Sequence, residues 1–538
     1  MAESIYTKII NNIQDGRLAP DFSLFDTAYS RDPFVFDGAR DAITFLHERK
    51  AKIALTQLEK YKHIFAEIRK GEIAEVWDEL VEALSIDGTV KLLDFLMDEV
   101  KLTRDSFYYY DLLDRAVRSL KASSNVELIK FSLLLLEHEA NNLDGEEKST
   151  VRTLALAEEL TLFASVVITH WPHGQDELFD LAKKVQGWGR IMLIPRLNME
   201  DMDVNRWLLA EGYKNVAKPQ YQATVILTYS KIADIALNHS LTAEEFSAYT
   251  NIISNSLAFE PGIVRLIDVN TKDQLKIMQG WLKEFAKHEL SFESIKLFIQ
   301  THGAYRTILQ FIEEQDPDDL MTKMEDDPDK LVVNFKWMQF FLVKEDLVDL
   351  VDEFDLLFDL QEFREFVIKL GPKHEFEFNL MFGRVKIDEN LEDYIRDEPF
   401  EYLELLKSLI TMPPPYDKYL EEVLDIYASM LPLVDIANGP DTPRTREELK
   451  HAEELLVGIL NIIRFSKVDG REFLIAALQS SSSSLRLSAL FSLRTRAKFT
   501  EEKFSDLDPE LDKLLNILID YEPKNNIKIY QHELINYN

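Results

Sequence analysis

The chain has no cysteine among its 538 residues. That absence excludes disulfides, thiolate nucleophiles, cysteine-ligated zinc, iron–sulfur clusters and a thiolate-bound haem, and it suits a reducing compartment. With 17 glycines and 18 prolines, both fall well below ordinary usage of roughly 7 % and 5 %. Such scarcity disfavours turn-dense β architectures and any chemistry built on several glycine-rich loops. Positive charge is short as well: 61 Lys and Arg stand against 95 Asp and Glu, a net charge of −34. The average field therefore repels nucleic acid and anionic lipid, and no direct nucleic-acid contact is expected. Long apolar runs are missing too. The stretch Leu160 to Ile168 falls well short of the ~20 residues a bilayer requires, and Met1 to Tyr6 lacks the basic and apolar regions of a signal peptide. The expectation is a soluble, cytoplasmic protein without membrane contact.

What is present is helical periodicity. Apolar residues make up 46 % and charged residues 29 %, which excludes wholesale disorder. The length suits about three or four domains of ~150 residues, or one repeat array. Apolar positions recur at i, i+3, i+4 and i+7 in one segment after another. Val126, Ile129, Leu133 and Leu136 mark a helix opening after Ser123, Ser124 and Asn125, residue types suited to N-capping. The next helix is predicted to start near Ser149 and continue through Leu154, Leu160 and Phe163 until Pro172. Starts fall roughly 15 to 25 residues apart, so an antiparallel pair takes about 40, the size of a HEAT or armadillo unit. The fold class read from this is all-α, a HEAT/armadillo-like α-solenoid of diverged helix pairs. The run Ser480 to Ser484 reads as a connector between two apolar helices.

Residues 313–330 read as an acidic linker between helical-repeat domains at 1–312 and 331–538. Glu313 to Asp329 holds nine acidic residues and Lys323, interrupted by Pro317 and Pro328. From 311 to 400 there are 26 acidic and 10 basic side chains, net −16. Within that region Phe376, Phe378, Leu380 and Phe382 alternate with polar residues, followed by Gly383, Val385 and Ile387. The alternation predicts a small β-hairpin near 375–388.

The opening, Ile5 to Ile10 through Gly16, Pro20 to Leu24 and Asp37 to Asp41, resembles the start of a group of bacterial helical-repeat proteins often labelled "limonene hydroxylase". Leu181 to Ile191, with Gly187-Trp188-Gly189-Arg190, followed by Arg206-Trp207-Leu208-Leu209 and Glu211 to Asn215, resembles the central motif of the same group. Gln186 stands where a histidine is expected, and Tyr213 where a cysteine is. The resemblance covers about the first 300 residues and implies a helical-repeat fold. Its label implies oxygenation of an unactivated carbon, which needs haem, flavin or iron. The residues supply none of the usual anchors: no cysteine, no second Glu-x-x-His beside Glu448 to His451 where a di-iron bundle needs two, and no G-x-G-x-x-G.

No residue is therefore assigned a catalytic, cofactor-binding or metal-binding role, and no cofactor is expected. His170 and His173 flank Pro172, a spacing that fixes no third ligand, and they read as a solvated loop. Glu284 and His288 share a helical face and read as ordinary surface chemistry. The residues placed at a partner contact are Trp188, Arg190, Trp207 and Tyr109, with Asp318, Asp319, Asp326 and Asp327 from the acidic segment. Tryptophan and arginine dominate interface hot spots. The run Phe107 to Tyr110 cannot turn every ring inward on a helix. The function expected is a non-catalytic scaffold that binds a protein or peptide, with acidic surface selecting basic partners. An enzyme with a carboxylate site in the groove, and an acidic mimic of nucleic acid, stay open as alternatives.

Overall fold

The computed structural model describes residues 3–20, 22–24, 37–45, 55–215, 219–257, 269–314, 339–381, 389–409, 417–439, 449–464, 466, 468–500, 509–522 and 531. It is an all-α, solenoid-like succession of helices with one two-stranded ladder among the described residues. Two compact units divide the chain: residues 1–289 with 308–356, and residues 290–307 with 357–538. Of the expected acidic linker, residues 315–330 lie outside the described residues, and Asp318, Asp319, Asp326 and Asp327 with them.

The first unit begins with α1 (Ile5–Ile10), α2 (Ala39–Ile43), α3 (Leu55–Lys70), α4 (Ile73–Asp87), α5 (Leu93–Arg104) and α6 (Tyr109–Ala122). There follow α7 (Val126–Leu136), α8 (Gly145–Ala155), α9 (Glu158–Thr169), α10 (Gly174–Lys184), α11 (Gly187–Leu193) and α12 (Met202–Trp207). The remainder are α13 (Pro219–Tyr229), α14 (Ile232–Asn238), α15 (Ala243–Leu257), α16 (Thr271–Phe285) and the end of α17 (Phe292–Glu314), whose residues 292–307 belong to the second unit. Packing is between near neighbours in sequence: α6 on α7, α7 on α9, α8 on α9, α9 on α11, and further along α13 on α15 and α14 on α16. Such stacking is how helix pairs that cannot bury an apolar face alone form a continuous core.

Two helices differ from the rest. From Leu128 to Leu136 every side chain of α7 is buried, and α9 is buried from Glu159 to Ile168 except at Val166. A helix apolar on all sides belongs in the middle of a layer, and these two form the inner wall on which the flanking helices pack. The single helix expected from Ser149 to Pro172 is two. A capping box of Asp144 and Glu147 starts α8, four residues before the hydroxyls chosen from sequence. The chain then breaks at Leu156 and Ala157, where the Thr161 hydroxyl donates to the Ala155 or Ala157 carbonyl.

The β-hairpin expected near 375–388 is corrected in its first half. Residues Pro372–Met381 form a helix, while 382–388 lie outside the described residues. Gly371 adopts φ +113° at the end of Leu360–Leu370, and Pro372 opens the new helix at its first position, the arrangement that end-of-helix glycine and first-turn proline favour. Glu377, which reads as an outward strand position, is buried and pairs with Lys296 at 2.5 Å. The ladder that exists is at the amino terminus, Ile13 and Gln14 against Arg17 and Leu18. Asp15 and Gly16 turn it with φ of 49° and 75°, as two-residue Asp-Gly hairpins require.

In the second unit, apolar side chains from Leu391 to Leu518 form one core. The serine run is a connector, as expected, with the helix Ser483–Thr500 starting inside it. Arg486 is buried there, donating from Nε and Nη2 to both Glu522 oxygens at 2.6 and 2.8 Å and from Nη1 to the Ser480 carbonyl. Breaking a buried pair leaves an uncompensated charge and costs about 3–5 kcal/mol, whereas replacing both members is far milder. Glu522→Ala should therefore accelerate amide exchange across Arg471–Leu478 and Ser483–Thr500. Arg486→Met combined with Glu522→Leu should restore most of the protection, and equal loss in both variants would rule out the stranded charge as the cause.

Candidate functional site

The polar chemistry of the first unit gathers where α2, α7, α9 and α11 meet. Lys130 lies in the fully buried stretch of α7 with its side chain wholly inaccessible, and its ammonium contacts Asp41 at 2.6 Å, Glu127 at 2.9 Å and Glu159. Burial works against that charge, but Asp41, Glu159 and Glu127 outweigh it and raise the ammonium's pKa. The carboxylates are bound in turn by backbone. Gly38 N–H donates to Glu159 at 2.5 Å, and Thr89 N–H donates to Glu127 at 2.6 Å. Burial pushes Glu159 up to about 7, with Lys130 pulling the other way and Asp41 adding to the rise. Glu127 is held below its ordinary value: burial opposes this, and Lys130 and the Thr89 N–H prevail.

Asp41, Glu127 and Glu159 are also the group of described residues whose carboxylate oxygens come close enough to share a metal ion. The position a cation would take is held by the Lys130 ammonium. The donor set is thus built around an internal cation. A lysine kept protonated by three carboxylates cannot serve as a nucleophile either.

The Gly-Trp-Gly-Arg motif packs directly beside this cluster. Gly187 has φ +62°, and a Cβ there would fall on the Glu158 carboxylate; one at Gly189 would press on Thr161 Oγ1 and Val185. The two glycines let the first turn of α11 close onto the first turn of α9. Glu158 then accepts the Trp188 N–H at 2.8 Å. Burial pushes Glu158 up to about 7, against the pull of the Trp188 and Gly189 N–H groups, with Asp37 adding to the rise. Asn215 clasps the Gly187 peptide, accepting from its N–H at 2.6 Å and donating to its carbonyl at 2.9 Å. Buried Gln222 donates to the Gly212 carbonyl at 2.6 Å, completing the clasp.

Of the residues placed at a partner contact from sequence, Trp188 and Tyr109 are corrected. Both are buried, Trp188 against Tyr221 with ring centroids 4.9 Å apart and Tyr109 in the core of the first unit. Rings packed this way present no face to a partner. In the aromatic run, Phe107 and Tyr110 are the exposed members, at 91 % and 70 %. Arg190 is buried to 4 % exposure and lies 5.7 Å from the ring of half-buried Trp207. Glu284 is likewise no surface residue: it is buried and accepts from Leu241 N–H, Lys287 and His288. His170 and His173 face different carboxylates, Glu137 at 3.6 Å and Asp176 at 3.7 Å, and do not converge.

One feature that no sequence pattern announced is an open cleft of about 490 Å³ between α5, α7 and α9. Asp94, Asp98 and Glu137 stand on its rim with Arg196, over an apolar floor that includes Met97, Leu134 and Phe163. The volume is in the range of ligand sites. Asp94 and Asp98 are exposed and one helical turn apart, a like-charge spacing that costs an isolated helix a few tenths of a kcal/mol. Neither Glu158 nor Glu159 lines this cleft. Comparison with family models, with curated proteins and with solved structures found no match for this chain. Among the described residues no helix is long and apolar enough to cross a membrane.

Two outcomes are expected. Lys130→Met strands three carboxylates and should destabilise the first unit by about 3–5 kcal/mol, with the deficit shrinking in mild acid as the carboxylates take up protons; a deficit independent of pH would mean the ammonium is not their counter-charge. For Glu158, the folded value of about 7 lies above the unfolded 4.5, so the folded chain retains a proton that the unfolded chain has released. Its contribution is greatest below that window and falls as pH rises through it. Glu158→Gln keeps an acceptor for Trp188 N–H and removes the titration. Its melting temperature relative to wild type should climb as pH is raised from about 5 to about 8, and a flat difference would assign the titration elsewhere.

Proposed function

We propose that this chain is a non-catalytic, helical-repeat binding scaffold that holds a protein or peptide partner by a cationic side chain lodged in the cleft between α5, α7 and α9. The observation that carries this reading is the cleft's composition: three carboxylates and one guanidinium around an apolar floor. A lysine or arginine side chain has the matching form, an apolar stem beneath a charged head. The net charge of −34 favours the same partner at longer range, since opposite charge speeds encounter more than it raises final affinity. The resemblance of the first 300 residues to a bacterial helical-repeat group agrees with a scaffold, and the proposed setting is the cytoplasm. The raised pKa values of Glu158 and Glu159 favour no enzyme reading, because both carboxyls are engaged by backbone and neither lines the cleft.

Fluorescence anisotropy with labelled lysine- and arginine-rich peptides, acidic peptides and uncharged peptides tests the proposal on the full chain. Basic peptides should bind selectively, with association slowing as salt rises through ~0.15 M, where the screening length is about 8 Å. Asp94→Lys with Asp98→Lys should abolish that binding while leaving the melting temperature nearly unchanged, since both side chains are exposed. Equal binding by wild type and the double variant, or no preference for basic peptides, would overturn the cleft as the docking site.

A further inference from the structure

The rim of the α5–α7–α9 cleft includes a carboxylate whose nearest cation depends on pH. Glu137 opens the short 3-10 turn Glu137–Glu139 that follows α7, and it lines the cleft. Its Oε1 lies 3.6 Å from Nε2 of His170, the residue that ends α9 and does not itself line the cleft. The His170 side chain is 47 % exposed and that of Glu137 19 %, so the imidazole is open to solvent protons while the carboxylate is mostly sheltered. At 3.6 Å the contact is too long for a hydrogen bond, and a neutral imidazole leaves the Glu137 charge uncompensated by this contact. Histidine is the side chain that gains a full positive charge between about pH 8 and 5. Once protonated, His170 places a cation beside the carboxylate that the cleft offers to a ligand.

The same device exists inside the unit in permanent form. Lys130 fills the position among Asp41, Glu127 and Glu159 that a foreign cation would take. The other charged groups around His170 are arranged differently. Asp94 and Asp98 of α5 stand on the rim with Arg196, and Arg196 donates from Nη1 to the Met192 carbonyl at 2.8 Å. From α8, Lys148 and Arg152 lie over the ring of Trp171, the residue after His170, and Arg152 is bound to Glu177 of α10 at 2.6 and 2.7 Å. His173 faces Asp176 at 3.7 Å. His138 follows Glu137 in the chain, and its Nε2 is buried without a hydrogen-bond partner. Among the described residues, His170 is thus the histidine within ion-pair reach of a carboxylate that lines the cleft.

We propose that His170 is a pH gate on this cleft. Neutral, it leaves Glu137 to a cationic ligand; protonated, it takes Glu137 as an internal counter-ion and repels the ligand, so the cleft releases its partner in mild acid. The gate rests on the cleft being the docking site for a basic side chain.

Fluorescence anisotropy on the full chain at pH 8 and pH 5.5 tests it, with a labelled arginine-rich peptide that lacks histidine and has blocked termini. Arginine keeps its charge over that range, so the ligand is constant. Wild type should bind about three- to fivefold more weakly at pH 5.5, the change expected for one partly exposed ion pair. His170→Gln should bind with nearly equal affinity at both pH values. His170→Lys carries the cation permanently and should bind at pH 8 as weakly as wild type does at pH 5.5. His138→Gln should keep the wild-type profile; should it fail to fold, the two His170 variants decide. No selective binding of the peptide by wild type at pH 8 would overturn the cleft reading and the gate with it. Selective binding that is unchanged at pH 5.5, a wild-type profile retained in His170→Gln, or one lost in a folded His138→Gln would overturn the gate and leave the cleft standing.

Discussion

The first unit depends on one interaction, the Lys130 ammonium among Asp41, Glu127 and Glu159. Removing so many ions from water costs several kcal/mol each, and attraction repays this only when geometry is good and the remaining lone pairs are bonded. Here Gly38 N–H bonds Glu159 and Thr89 N–H bonds Glu127. The cluster therefore binds four stretches of chain: the start of α2, the turn between α4 and α5, α7 and α9. An inner helix coated with leucine packs against its neighbours in several rotations of similar energy. One carrying an ammonium that must meet three fixed carboxylates has a single acceptable rotation.

A second lock continues the first across the sheet of helices. Glu159 faces the lysine while its neighbour Glu158 receives the first turn of α11. Consecutive residues at the first turn of α9 thus serve two different partners. Gly187 and Gly189 are what make the approach of α11 possible. The raised pKa of Glu158 follows from that approach: the backbone of α11 displaces the water that would otherwise solvate the carboxylate.

Much of the architecture was legible in the sequence, since the helices follow from apolar periodicity and the scarcity of turn residues. The errors have identifiable physical origins. Alternating Phe376, Phe378 and Leu380 imitate a strand, yet Gly371-Pro372 is the stronger local signal because it constrains backbone rather than side-chain pattern. The Asp15-Gly16 hairpin carries its own signature, but strands of two residues have no periodicity to accompany it. Glu284 and His288 read as surface because i,i+4 spacing is indifferent to burial. The Lys130 cluster was hidden for a different reason: residues 41, 127, 130 and 159 are joined by folding and not by spacing. The one available clue was lysine inside Leu128 to Leu136, where a cation among leucines on every face has to be met by acids from elsewhere.

The distribution of charge bears on function more than its total. Inside the first unit, acids are engaged by Lys130 and by backbone N–H groups. A shifted pKa makes a catalyst only where a reacting atom comes within hydrogen-bond reach, and the space beside Glu158 is filled by Gly187. At the surface the situation is reversed. Asp94 and Asp98, both exposed, stand together over an apolar floor. Charged side chains that stay exposed beside an apolar surface are the ones with free energy still to gain from another molecule.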